Sequence, residues 1–176
     1  MIEDRLRAII RDVPDFPEPG IVFKDITPIL KNDSLCTAVV DEFIERLKSI
    51  EIDAVAGVES RGFLFGLLLA NRLGVPFIPI RKQGKLPFRT ISESYKLEYG
   101  QATIEVHEDA FAPGTKVLVH DDLLATGGTV VAASKLIEKL GGEIAGYAFV
   151  ISLDFLNSRG RLTRFSDNII SLVPYF

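Results

Sequence analysis

Val117-Leu118-Val119-His120-Asp121-Asp122-Leu123-Leu124-Ala125-Thr126-Gly127-Gly128-Thr129 reads as a buried strand, from Lys116 to His120, that delivers two adjacent carboxylates to its carboxyl end and then turns through small residues into a helix. Such a turn suits an anion: glycines let backbone N–H groups converge, the Thr126 and Thr129 hydroxyls add donors, and a helix N-terminus carries partial positive charge. The acids cannot serve a phosphate directly. They accept hydrogen bonds from neutral hydroxyls, or they hold a hydrated Mg²⁺, which prefers oxygen ligands. A sugar phosphate satisfies both halves. Taken singly, Asp-Asp is a helix cap and Gly-Gly an ordinary turn; the thirteen-residue combination carries more.

Outward from this segment the pattern alternates. Downstream, Val130, Ala133, Leu136, Ile137 and Leu140 recur at helical spacing, Gly141-Gly142 ends the run, and Ile144 to Leu153 is strand-like. Upstream, Asp53 to Val58 is a short apolar run, Arg61 to Leu73 an apolar helix closed by Gly74, and Val75 to Ile80 a second strand. Two βαβ units predict an α/β fold with a mostly parallel twisted sheet, helices on both faces, and ligands at the strand ends after Val58, Ile80 and His120.

Nearer the start, Ile2, Leu6, Ile9, Ile10 and Val13 share one helical face, which predicts a docking helix over 2–13. Pro14, Pro17, Pro19, Gly20 and Pro28 then predict an ordered loop from Asp15 to Ile29. Asp33 is positioned to cap a helix to about Ser49, with Cys36, Val40, Phe43 and Leu47 inward. The connection from Arg81 to Gly100 is long and polar, yet holds Phe88, Tyr95, Leu97 and Tyr99, and is expected to form a lid.

With 176 residues the chain fits one core, and 47% apolar with 25% charged residues excludes disordered, collagenous and coiled-coil classes. A net charge of -4 argues against general nucleic-acid binding, which needs clustered cations. No apolar run spans a bilayer, the first residues lack a signal-peptide pattern, and the lone Cys36 cannot form an internal disulfide, so a cytoplasmic protein without membrane contact is expected. His107 and His120 give no zinc-type spacing. Gly84-Lys85 lacks the earlier glycine of a Walker loop, and no G-x-G-x-x-G occurs.

The segment around Asp121 resembles the phosphoribosyl pyrophosphate (PRPP) signature of type I phosphoribosyltransferases. The rest of the chain is similar to the adenine-using members through Asp15 to Pro28, Glu59 to Gly66, Ile80 to Pro87 and Ser94 to Gly100. That resemblance implies transfer of ribose 5-phosphate from PRPP to adenine, giving AMP and pyrophosphate in purine salvage, with Mg²⁺ bound mainly through PRPP and water rather than by a direct protein site. It implies one domain over 1–176, with an N-terminal hood over about 1–33 and a lid over about 81–100.

For the site, the resemblance implies that Ala125, Thr126, Gly127, Gly128 and Thr129 hold the 5-phosphate while Asp121 and Asp122 bind the ribose hydroxyls. Arg61, Arg81, Lys82 and Lys85, with Arg89 beyond, meet the pyrophosphate. Phe23 stacks on the purine while backbone groups of Val22 and Lys24 read its edge, and Glu98 is the acid/base, shielded by Tyr95 and Tyr99. A homodimer is implied, with lid residues near the partner's site. His120 and Gln83 depart from the pattern, the first where an aliphatic residue is usual and the second where a basic one is frequent. Two other readings stand beside this one. One is an enzyme for a 6-oxopurine, against which the Val22-Phe23-Lys24 block speaks. The other is a non-catalytic PRPP-sensing regulator, against which the short stretch before the Pro-rich loop and the Glu98 lid speak.

Overall fold

The computed structural model describes residues 1–97 and 99–176; Glu98 lies outside the described residues. Its centre is a seven-stranded sheet in the order β5-β6-β4-β3-β7-β8-β9, with β3 Ala54–Val58, β4 Phe77–Lys82, β5 Thr90–Lys96, β6 Gln101–His107, β7 Lys116–Leu124, β8 Glu143–Leu153 and β9 Ile169–Tyr175. β4, β3, β7, β8 and β9 run parallel, and the β5–β6 hairpin joins the edge antiparallel through β4.

Alternate residues of each strand enter two cores. Val55, Leu118, Ala148 and Val150 pack with α3 (Asp33–Leu47) and α4 (Gly62–Leu73), whereas Ala54, Ala56, Val119, Tyr147 and Phe149 pack with α5 (Gly128–Lys139). Both sheet faces are therefore covered, as parallel strands require. Tyr147 is the largest fully buried side chain, and its hydroxyl is satisfied by Ser134 Oγ at 2.7 Å.

The expected strands and helices between residues 53 and 80 and between 116 and 153 are present, with β7 running on through the acid pair to Leu124. Gly74 closes α4 in the left-handed conformation at φ 68°. Elsewhere the chain differs from expectation. The first helix, α1, stops at Ile9; Arg11–Pro14 is instead strand β1, paired antiparallel with β2 Val22–Asp25 in a separate two-stranded sheet. A four-residue helix α2, Thr27–Leu30, follows, tolerating Pro28 in its first turn, where no intrahelical N–H is needed. The cap of α3 is Asn32, whose side chain accepts from the Leu35 amide, rather than Asp33. The stretch from Arg81 to Gly100 is not one continuous loop: it takes in the end of β4 at Arg81 and Lys82 and the whole of β5, Thr90–Lys96. Among the described residues, no helix is long and apolar enough to cross a membrane.

One close packing sets where α4 begins. A Cβ on Gly57 of β3 would lie 2.6 Å from Phe77 Cζ and 2.8 Å from the Gly62 carbonyl oxygen. Gly57→Ala must therefore move a backbone as well as a ring, and a thermal melt should show a loss of about 1–3 kcal/mol.

Candidate active site

The site forms where β3, β4 and β7 end, because a parallel sheet opens at its carboxyl edge between helices that leave on opposite faces. A cleft of about 290 Å³ there is lined by Glu59, Ser60, Arg61, Lys82, Tyr95, Asp121, Asp122 and Thr129 with Val58 and Ile104. A second hollow of about 80 Å³ is lined by Asp121 and residues 123–130, so the two share Asp121 and Thr129.

Asp122 is buried, and its Oδ2 accepts from Arg61 Nε at 2.5 Å. Asp121 Oδ1 accepts from the Asp122 amide at 2.8 Å. Burial, reinforced by the neighbouring charge of Asp122, raises the Asp121 carboxyl well above its ordinary 3.8. The approach is tight: a Cβ on Gly62 would lie 3.0 Å from the His120 carbonyl oxygen and 3.1 Å from Asp121 Oδ1. Glycine at that position thus lets the start of α4 come up against the acid pair.

The turn from Ala125 to Thr129 leads into α5. Gly127 is its N-cap at φ 82°, a conformation that glycine takes without penalty, and no side chain caps the helix. The Thr129 hydroxyl donates to Tyr95 Oη at 2.9 Å, tying β5 to this turn. From outside, Arg161 Nη1 donates to the Thr126 carbonyl at 2.8 Å.

The cations are not equivalent. Arg61 lies in the cleft, with Cζ 5.0 Å from the Phe23 ring centroid as well as bonded to Asp122. Lys82 also lines the cleft. Arg81, expected at the pyrophosphate, is engaged by a carboxylate: Nε and Nη2 donate to Glu59 at 3.2 and 3.1 Å. Burial would raise the Glu59 carboxyl, but the hydrogen bonds from Arg81 and the Lys82 amide outweigh it and hold the group below its ordinary 4.5. Lys85 and Arg89 do not line the cleft.

Phe23, on β2, packs edge-on to Phe16 at 5.3 Å and faces Arg61, while Val22 is exposed. The Lys24 ammonium is engaged by Asp12 Oδ1 at 2.6 Å, outside the cleft lining. Glu98, the expected acid/base, lies outside the described residues, and Tyr99 beside it is exposed. Glu59 and Arg161 received no role from the sequence. Glu59 stands in the Glu59-Ser60-Arg61-Gly62 turn, whereas nothing local marks Arg161.

The phosphoribosyl transferase domain family matches residues 27–170. The chain belongs to the phosphoribosyltransferase family. It is 53% identical over 175 residues to an adenine phosphoribosyltransferase of Cytophaga hutchinsonii, covering 99% of this chain and 97% of that protein. In three dimensions it is similar to the adenine phosphoribosyltransferase of Thermoanaerobacter pseudethanolicus, with a TM-score of 0.95 and 45% identity over 99% of this chain and 100% of that one. It is also similar to the Saccharomyces cerevisiae enzyme in complex with an iminoaltritol bisphosphate and adenine, with a TM-score of 0.91 and 39% identity over 98% of each chain. The fold assigned above is that of this family.

Proposed function

We propose that the chain is an adenine phosphoribosyltransferase: adenine and PRPP give AMP and pyrophosphate. The observation that carries this reading is the pair of hollows joined at Asp121 and Thr129. One is a glycine-threonine turn at a helix N-terminus, sized for a phosphate. The other is a cleft with acids on one wall and Arg61 and Lys82 on another, suited to a ribose with an anionic leaving group.

In this reading Ala125, Thr126, Gly127, Gly128 and Thr129 hold the 5-phosphate through backbone N–H groups and hydroxyls. Asp121 and Asp122 accept from the ribose hydroxyls, with Arg61 released from Asp122 to meet pyrophosphate beside Lys82. Lys85 joins them as the lid over about 81–100 closes, and Arg81 braces the turn through Glu59. Phe23 stacks on the purine, and backbone groups of Val22 and Lys24 read its amino edge. The bond from the anomeric carbon to the pyrophosphate oxygen breaks with its electron pair leaving on pyrophosphate. N9 of adenine supplies the pair for the new bond, through a transition state of oxocarbenium character. Glu98 exchanges the purine proton. Fixing the reactants and stabilising charge on the leaving group supply the catalysis.

Asp121 and Asp122 bring carboxylate oxygens to the cleft, the donor type that suits Mg²⁺ carried on PRPP oxygens and water with the two acids as outer partners. When bound, the ion neutralises leaving-group charge. The whole chain acts as one domain with residues 1–33 as the hood, and works in the cytoplasm. A homodimer is supported by Leu64, Leu67 and Leu68, which are 40, 56 and 46% exposed on α4 just past Arg61.

The test is direct. Purified chain with adenine, PRPP and Mg²⁺ should form AMP and pyrophosphate, and should favour adenine over hypoxanthine and guanine. Absence of AMP, or preference for a 6-oxopurine, would sink the reading.

A further inference from the structure

The β1–β2 hairpin that carries Val22, Phe23 and Lys24 shares no ladder with the seven-stranded sheet. Something else must hold it at the site. In β2 successive side chains point to opposite faces. Phe23 faces Arg61, which lines the cleft, so Lys24 projects the other way. There its ammonium lies 4.2 Å from the ring centroid of Tyr175, at the end of β9, and 2.6 Å from Asp12 Oδ1. Asp12 is the residue directly opposite Lys24 in the hairpin register. The Lys24 side chain is 14% exposed, so this cation sits largely out of water over an aromatic face, where such a contact is strongest. Arg7 of α1 approaches the same ring, its Cζ 4.7 Å from the centroid.

We infer that Tyr175 is a positioning residue for base recognition: its ring clamps Lys24 from behind and so fixes the strand whose other face presents Phe23. The inference rests on the assignment of residues 22–24 to the purine. A strand this short turns as a unit, because a rotation that frees Lys24 also tilts Phe23. Losing the clamp therefore weakens purine capture and leaves the hollow for the 5-phosphate, built on β7 and the start of α5, untouched.

Three variants of the full chain test it. Tyr175→Leu should raise KM for adenine roughly five- to twentyfold, the range expected of a desolvated cation–π contact, with kcat and KM for PRPP unchanged. Tyr175→Phe keeps the aromatic face and should match the wild type. Lys24→Met removes the same cation–ring contact together with the ion pair to Asp12, so it should raise KM for adenine at least as much, and adding Tyr175→Leu to it should add little. Hydrogen exchange provides a readout independent of activity. Amides of residues 11–13 and 22–25 should exchange faster in Tyr175→Leu, and those of β7 and β8 should not. An unchanged KM for adenine, a loss shared equally by both substrates and kcat, fully additive single effects, or unaltered exchange in the hairpin would each overturn the inference. A wild-type chain that forms no AMP would instead overturn the adenine assignment, leaving hydrogen exchange to judge the clamp.

Discussion

Replacing Asp121 and Asp122 together by Asn is expected to lower kcat/KM for PRPP by roughly 10²–10³-fold while leaving the protein folded, because two hydrogen bonds to charged acceptors are worth about 1.5–2 kcal/mol each. The single variants should separate stability from function. Asp121 is held well above its ordinary carboxyl range by burial and by the charge of Asp122. A group whose folded pKa is raised contributes stability at low pH that is lost as pH rises through that pKa, so the carboxyl weighs against folding once its counterpart in the unfolded chain is ionised. An uncharged amide of the same shape removes that burden, and Asp121→Asn should melt no lower than the wild type. Asp122→Asn keeps an oxygen that can accept from Arg61 Nε but removes the charge of a buried carboxylate; because the Arg61 side chain is 44% exposed, water screens the lost attraction and the cost should be about 1 kcal/mol or less. Steady-state kinetics with PRPP varied, beside thermal melts of the three variants, reads both quantities. Unchanged kcat/KM in the double variant would place the ribose elsewhere.

Such a site was legible in the sequence to the extent that its parts are contiguous. The segment from Val117 to Thr129 holds acids, turn and helix start within one strand-to-helix passage, so local chemistry implies an anion cradle before any contact is known. The βαβ units were legible for the same reason: strands buried on both faces read as unbroken apolar runs, and α4 and α5 carry apolar residues at helical spacing. The β5–β6 hairpin was not. Thr90–Lys96 alternates half-buried with exposed residues at a sheet edge, and its polar composition reads as loop. Val13 failed differently, because its spacing from Ile9 continues a helical series that the chain abandons at Ile10, where Pro14 already disfavours helix. The pairings of Arg61 with Asp122 and Arg81 with Glu59 join residues 61 and 22 positions apart, which no local pattern specifies. Hence four cations that look alike in sequence divide in space: Arg61 and Lys82 in the cleft, Arg81 spent on a carboxylate, and Lys85 outside the cleft lining.

His120→Leu is expected to raise stability at neutral pH and to remove a steep acid weakness. The imidazole is fully buried, edge-on to Phe43 of α3 at 5.7 Å, with its Cδ2 3.4 Å from where a Cβ on Gly66 of α4 would lie. Neither ring nitrogen makes a hydrogen bond of good geometry among the described residues, the Ala148 backbone offering at best a weak one, and burying one such group costs about 1–3 kcal/mol. Burial drives the pKa down to about 4 from the ordinary 6.5, against the pull of the Asp122 carboxylate on the same strand. For a cation depressed in this way the unfolded chain binds the extra proton. The full contribution is present above pH 6.5 and drains away as pH falls toward 4, by about 3 kcal/mol at ~1.4 kcal/mol per unit. Asp121 acts in the opposite sense over acid pH, so the wild type alone would blur the two. Subtracting the His120→Leu profile cancels the Asp121 contribution. Denaturant melts of both proteins at pH 7.5, 6 and 5 should show the variant more stable throughout, with a gap that widens as pH drops. Parallel profiles would mean that the imidazole finds a partner or stays charged in the fold.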